Sequence, residues 1–187
     1  MTKTFNVSDN ATVKVDNSYG NLDIVTWDGT TIDFEIKITT TGDNEEKVQD
    51  KLDDITIDFS GTQNLVTAIT KFKKSKDNAW WKWGSSSNVQ MKINYIVKIP
   101  ITNNVNLNND YGNINLGTLE GRAEINCDYG KITTKELLAE NNILNFDYSN
   151  NCYFEFIKSG KIDSNYIGLT VSKANCLNLI ADYTNSK

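Results

Sequence analysis

Along the second half of the chain, apolar and polar positions alternate with period two, break at a tyrosine, and resume with the opposite parity. The tyrosines are Tyr111, Tyr129, Tyr148, Tyr166 and Tyr183, at intervals of 18, 19, 18 and 17 residues. Four residues before them stand Leu107, Ile125, Leu144, Ile162 and Leu179. Three residues after the first four come Ile114, Ile132, Asn151 and Leu169, and five after come Leu116, Thr134, Tyr153 and Val171. Leu119, Leu137, Phe156 and Ala174 follow at the eighth position. Such alternation marks half-buried strands, and a fixed interval of this length marks stacked units that cannot bury their apolar sides alone. The pattern predicts a mainly β fold. Its coils of about 18 residues would stack about 4.8 Å apart as a right-handed parallel β-solenoid, a parallel β-helix of tandem repeats.

The same landmarks surround Tyr19: Val15 before it, then Leu22, Ile24 and Trp27. Residues 11–28 are therefore expected to form a first coil, 29–104 an insertion, and 105–187 the tandem coils, with 1–187 a single domain. Within the insertion, Ile32, Phe34, Ile36 and Ile38 alternate as a strand over 31–41. Asp43 or Asn44 can cap a helix over about 44–55, with Glu45 and Glu46 in its first turn and Val48, Leu52 and Ile55 as its apolar stripe. That helix is expected to cover one face or end of the sheet. Ile57 and Phe59, residues 64–72, and Met91, Ile93, Tyr95, Val97 and Ile99 predict further strands, read as antiparallel hairpins flanking the coils.

Charge narrows the function classes. With 24 acidic against 19 basic residues and a formal net charge of −5, the chain lacks the basic face of a nucleic-acid binder. No segment is apolar for long enough to span a membrane, and residues 1–10 carry no leader. Histidine is absent, which removes the commonest general base and metal ligand, and no P-loop, dinucleotide fingerprint or nucleophile elbow occurs. No catalytic residue and no cofactor is assigned. Cys127, Cys152 and Cys176 are odd in number and do not share a column, so they read as buried free thiols.

Two features carry candidate chemistry. Residues 73–88 (KKSKDNAWWKWGSSSN) place Trp80, Trp81 and Trp83 among lysines, in surroundings too polar for simple burial. These indoles are candidate contacts for a glycan or another protein, or alternatively a cover for the sheet. Asp110, Asp128, Asp147 and Asp182, with Asn165 between the last two, precede their tyrosines and would form a like-charged ladder. Asp16, Asn108, Asn126, Asn145 and Asp163 form a second polar column. The oxygens of this stripe either satisfy backbone groups at each corner or hold a hard cation such as calcium.

The opening VKVDNSYGNLDIVTWDGTTIDFEIKI, the EEKVQDKLDDI helix and the NNDYGNINL and NCDYGKITT phrases resemble, in that order, the bacterial putative-adhesin domain family of unknown function. The likeness is greatest to its Bacteroidetes, flavobacterial type and spans essentially the whole chain. It implies a β-solenoid exported to the periplasm or cell surface, with a leader that this chain does not carry. No catalytic residues come with it. The expected role is a noncatalytic cell-envelope binding or scaffolding module that contacts a surface glycan or another envelope protein. The alternatives are a polysaccharide lyase or hydrolase built on a β-helix, which would need carboxylates converging in a groove, and a purely structural spacer. A last coil that stops four residues after Tyr183 is also expected to drive self-association, which a strict monomer in sedimentation would refute.

Overall fold

The structure, a computed structural model, describes residues 1–73, 88–182 and the backbone of 185–186. Strands β1 (Thr2–Asn6), β2 (Thr12–Ser18), β3 (Leu22–Trp27) and β4 (Thr31–Thr41) precede helix α1 (Glu45–Asp53). Then come β5 (Ile55–Gly61), β6 (Leu65–Phe72), β7 (Gln90–Pro100), β8 (Asn104–Asp110) and β9 (Ile114–Leu116). The chain continues through β10 (Ala123–Asp128), β11 (Ile132–Leu137), β12 (Asn142–Asp147), β13 (Cys152–Asn165), β14 (Gly168–Asp182) and β15 (Asn185–Ser186).

All of these strands join one sheet, in the order β1-β4-β7-β3-β9-β11-β13-β12-β10-β8-β2-β6-β5, with β14 and β15 beyond β13. Each tyrosine unit sends the strand before its corner to one wall and the strand after it to the other. β13 is long enough to join the walls: its first half pairs with β11 and its second half with β12. The sheet thus climbs one wall, passes through β13 and descends the other. At the far end its two edges meet, with the Phe5 ring of β1 6.2 Å from Phe59 of β5.

The expected right-handed parallel β-solenoid is therefore corrected. The sheet is a nearly closed barrel of mixed strand orientation. Pairing between the tyrosine units is parallel, but β1–β4, β4–β7 and β5–β6 are antiparallel. The repeating columns specify only how one unit registers on the next. Closure comes from the insertion and from β1, which carry no copy of the repeated phrase.

The interior fills as the alternation requires. Val15, Leu107, Ile125, Leu144 and Ile162 form one fully buried column, and Ile32, Phe34, Ile36, Ile93, Tyr95, Val97 and Ile99 supply the flank. Leu179, next in the column, is 40% exposed, and Ile180 beside it is exposed too, so β14 presents apolar side chains to solvent. One unit departs from the expected register. Asn151 adopts the left-handed conformation (φ 61°), and the extra residue moves Cys152, Phe154 and Ile157 into the core in place of Asn151, Tyr153 and Phe156. A single residue inserted in a strand reverses every later side chain, which is why alignment on the tyrosine alone misplaced that segment.

Helix α1 is capped by the Asn44 side chain, which accepts from the Lys47 amide at 2.9 Å, but it buries no residue completely. Ile55, expected on its stripe, instead begins β5 and is buried there. Among the described residues, no helix is long and apolar enough to cross a membrane. Cys127 and Cys152 are buried free thiols, whereas Cys176 on β14 is exposed, contrary to expectation.

Candidate functional site

The five described tyrosines of the repeated phrase stand in one row along the corner between the walls. Successive ring centroids from Tyr19 through Tyr111, Tyr129 and Tyr148 to Tyr166 lie 5.3, 5.1, 5.0 and 5.2 Å apart, with interplanar angles of 3–7°. The spacing is the strand separation, slightly stretched. Each ring is 41–54% exposed. Their faces are occupied by one another, so the row offers solvent its ring edges and phenol groups.

The backbone that aims these rings is unusual. Tyr19, Tyr111, Tyr129, Tyr148 and Tyr166 all have positive φ, between 52° and 63°. A side chain in that region costs roughly 1–2 kcal/mol, and glycine or asparagine would be cheaper. The glycine that follows serves a different purpose. Its φ is negative, and a Cβ at Gly112 would lie 1.9 Å from the carbonyl oxygen of Gly20 in the neighbouring unit. Tyrosine makes the turn and glycine permits the approach. A stacked aromatic pair returns about 0.5–1.5 kcal/mol, so the stack roughly offsets its own strain.

Hydrogen bonds run through every corner. The Tyr19, Tyr111, Tyr129, Tyr148 and Tyr166 amides donate to the carbonyls of Asp110, Asp128, Asp147, Asn165 and Asp182 in the next unit, at 2.9–3.1 Å. Beneath the row runs a buried polar chain. Tyr95 Oη and Thr70 Oγ1 are 2.8 Å apart, Thr70 donates to Asn17 Oδ1, Asn17 Nδ2 donates to Asn109 Oδ1, and Asn109 Nδ2 donates to the Gly20 carbonyl. Burial pushes the Tyr95 phenol up to about 12 and the Cys127 thiol to about 12.

Two grooves flank the row. On the β10–β12–β13 side, a space of about 320 Å³ is lined by Asn126, Asp128, Asn145, Asp147, Asp163 and Asn165. The expected aspartate stripe lies here and is largely engaged with its own strands. Asp128 Oδ1 accepts from the Asp147 amide, and Asp147 Oδ1 from the Asn165 amide. Asn145 donates to Asn126, Asn108 to Asp16, and Lys161 to Asp163. Partial burial, then Asp128 and Asp16, raise the pKa of Asp110. Asp182 closes the stripe on β14 as an exposed residue. Among the described residues, no three Cys, Asp or Glu side chains converge as a metal-ligand cluster.

On the β3–β7–β4 side, a larger space of about 670 Å³ opens beside Tyr19 and Tyr111. Lys37, Lys92, Asn21 and Asn94 line it, together with Thr and Gln side chains, and among the described residues no carboxylate does. Sequence reasoning missed this groove. Its residues come from strands brought together by antiparallel pairing of β4 with β7, and only that register places Lys37 beside Asn94 and Thr39 beside Lys92. Trp80, Trp81 and Trp83 lie outside the described residues.

No protein-family model matches the sequence, nor does any curated protein. Over its whole length the chain is similar to a putative cell adhesion protein of Clostridium sporogenes, with a TM-score of 0.44 and 7% identity over 99% of that chain. It is also similar to a putative adhesin of Bacteroides fragilis (TM-score 0.36, 13% identity) and one of Parabacteroides merdae (0.30, 11%), each over all of this chain and 94% of the other. TM-scores below 0.5 leave the function of this chain to be read from its own geometry.

Proposed function

We propose that the chain is a noncatalytic binding module of the cell envelope, exported to the periplasm or cell surface, whose contact surface is the tyrosine row. The observation that carries the reading is five half-exposed tyrosines held at positive φ, where stacking only roughly offsets the backbone strain and the rings therefore bring the corner little net stability. A corner that needed only to turn would not retain the ring in every described copy of the phrase.

The ligand class that fits is an extended surface glycan lying along the row. Phenol groups at a 5.0–5.3 Å pitch offer a hydrogen-bonding group at each step to a chain of sugar hydroxyls, and the ring edges supply apolar contact. A lyase or hydrolase reading lacks comparable support, because the aspartates beside the row are engaged by backbone amides and side-chain donors.

Replacing Tyr111, Tyr129 and Tyr148 together by asparagine tests the reading, since asparagine tolerates the left-handed conformation. On a panel of surface glycans, the triple variant should lose at least about tenfold in affinity while its thermal transition stays cooperative. Unchanged affinity, or a wild type that binds no glycan, would refute the reading. A parallel Trp80/Trp81/Trp83→Ala variant tests whether the indoles contribute to the same contact.

A further inference from the structure

We infer that the groove beside Tyr19 and Tyr111 selects acidic sugar units, so that the glycan contacted by the row carries carboxylates. This inference rests on the binding reading above and names its ligand more narrowly.

The lining is rich in unused donors. Lys37 stands opposite Asn94 and Lys92 opposite Thr39 on the paired strands β4 and β7. The two lysines are therefore diagonal neighbours on one face, with Cβ atoms about 7–8 Å apart. Lys71, Lys158 and Lys161 each form a salt bridge, and neither groove lysine does so among the described residues. The amides are also oriented. Asn94 Oδ1 accepts from the Asn21 amide at 3.0 Å, and Asn21 Oδ1 accepts from the Asn113 amide at 3.1 Å. Those bonds fix which side-chain atom is oxygen and leave both NH₂ groups as donors at the groove. Two ammonium groups, two amide NH₂ groups and two phenols thus border one space of about 670 Å³ that contains no carboxylate among the described residues.

Such a surface calls for an acceptor-rich, negatively charged ligand. Charge density decides which one. A nucleic acid carries a phosphate at every nucleotide and is held by neutralising many of them, whereas two lysines on a chain of net charge −5 cannot do that. An acidic peptide would leave most of the asparagine, glutamine, threonine and tyrosine groups of the lining without a hydroxyl partner. A polysaccharide with carboxylates spaced among hydroxyl-bearing carbons matches both the sparse charge and the density of neutral donors. Lys37 and Lys92 would hold a carboxylate, and the asparagines and tyrosines the neighbouring hydroxyls.

The test compares oligogalacturonate with the same oligomer methyl-esterified, titrated calorimetrically into the full chain. The acid should bind about fivefold more tightly than the ester, the contribution of partly exposed ion pairs. In Lys37→Gln/Lys92→Gln the two should bind equally, with ester affinity and melting temperature unchanged, while Lys135→Gln should behave as wild type. The inference is overturned if neither oligomer binds, if acid and ester bind wild type alike, or if the double variant keeps the preference. It is also overturned if polyglutamate of equal charge binds as tightly as the acid. The tyrosine triple variant separates the two readings. Lost affinity for both oligomers with the acid preference retained supports both, whereas unchanged affinity with the preference retained refutes the row as contact surface and leaves the groove standing.

Discussion

The two grooves on either side of the tyrosine row share asparagines but differ in charge and in how far their polar side chains are engaged. In the aspartate-lined groove, asparagines and aspartates recur in register, so Asn145, Asp128 and Asp147 are engaged by the strand beside them and Asp163 by Lys161. In the lysine-lined groove, the strands on the insertion side bear no copy of the phrase, and among the described residues Lys37 and Lys92 face no opposite charge in the groove. Repetition consumes polar side chains, while the unrepeated segment leaves them available. A ladder of identical polar residues is thus weak grounds for a ligand site, and the irregular flank is the better place to look.

The sharpest way to break the contrast is to strike the repeated region where neighbouring units touch. Gly112→Ala drives a Cβ to within 1.9 Å of the Gly20 carbonyl, and backbone on both sides must move. A loss of about 3 kcal/mol is expected by denaturant titration. Gly168→Ala meets its nearest atom at 3.2 Å and should cost far less. Equal losses would show that the close approach is not what fixes glycine at the corner.

The buried chain from Tyr95 to Asn109 joins the two regions, and it titrates. The Tyr95 phenol is held near 12 against an ordinary value of 10.0. Between those values the unfolded state releases a proton that the folded state keeps, so stability is intact below pH 10 and falls as pH rises towards 12. The fall should amount to about 2–3 kcal/mol. Tyr95→Phe, which loses the bond to Thr70, should start less stable at neutral pH and show a flatter alkaline slope in pH-dependent unfolding.

The smallest effect belongs to the aspartate stripe. Asp110 stands opposite Asp128, and its raised pKa means that ionisation there opposes folding. Asp110→Asn should therefore stabilise the protein at pH 7, by no more than about 0.5 kcal/mol because the carboxyl is only partly buried. The gain should vanish as pH falls and the wild-type carboxyl becomes protonated. A loss of stability at pH 7 would show that the carboxylate contributes an attraction that the ladder geometry hides.

The strands and corners were legible in the sequence, but the architecture they build was not, and the expected solenoid of tandem repeats is a nearly closed barrel. The tyrosine phrase located the corners, the alternation located the strands from β2 to β12, and Asn44 announced its helix. Three things were not legible, each for a physical reason. The antiparallel closure depends on which edge strand the insertion meets, and β4 and β7 alternate alike in any partnership. The bulge at Asn151 leaves no trace in the tyrosine spacing, because the interval that contains it, Tyr148 to Tyr166, is 18 residues, the same as Tyr111 to Tyr129. The lysine groove needs residues 37 and 92 in one register, and no local pattern encodes that distance. For the aspartates the reading as backbone acceptors was available, and the Asp128 and Asp147 bonds take that form.

The position of β2 also sets a timetable. It lies between β6 and β8, and Asp16 meets its bonding partner Asn108 only 92 residues later in the chain. At roughly 5–20 residues per second, β2 waits about 5–20 s during synthesis for its second neighbour. The units from Tyr111 to Tyr166 are contiguous and can pair as they emerge. The row of tyrosines therefore starts at Tyr19, in an early part of the chain that must stay soluble and unpaired on one side until β8 reaches it.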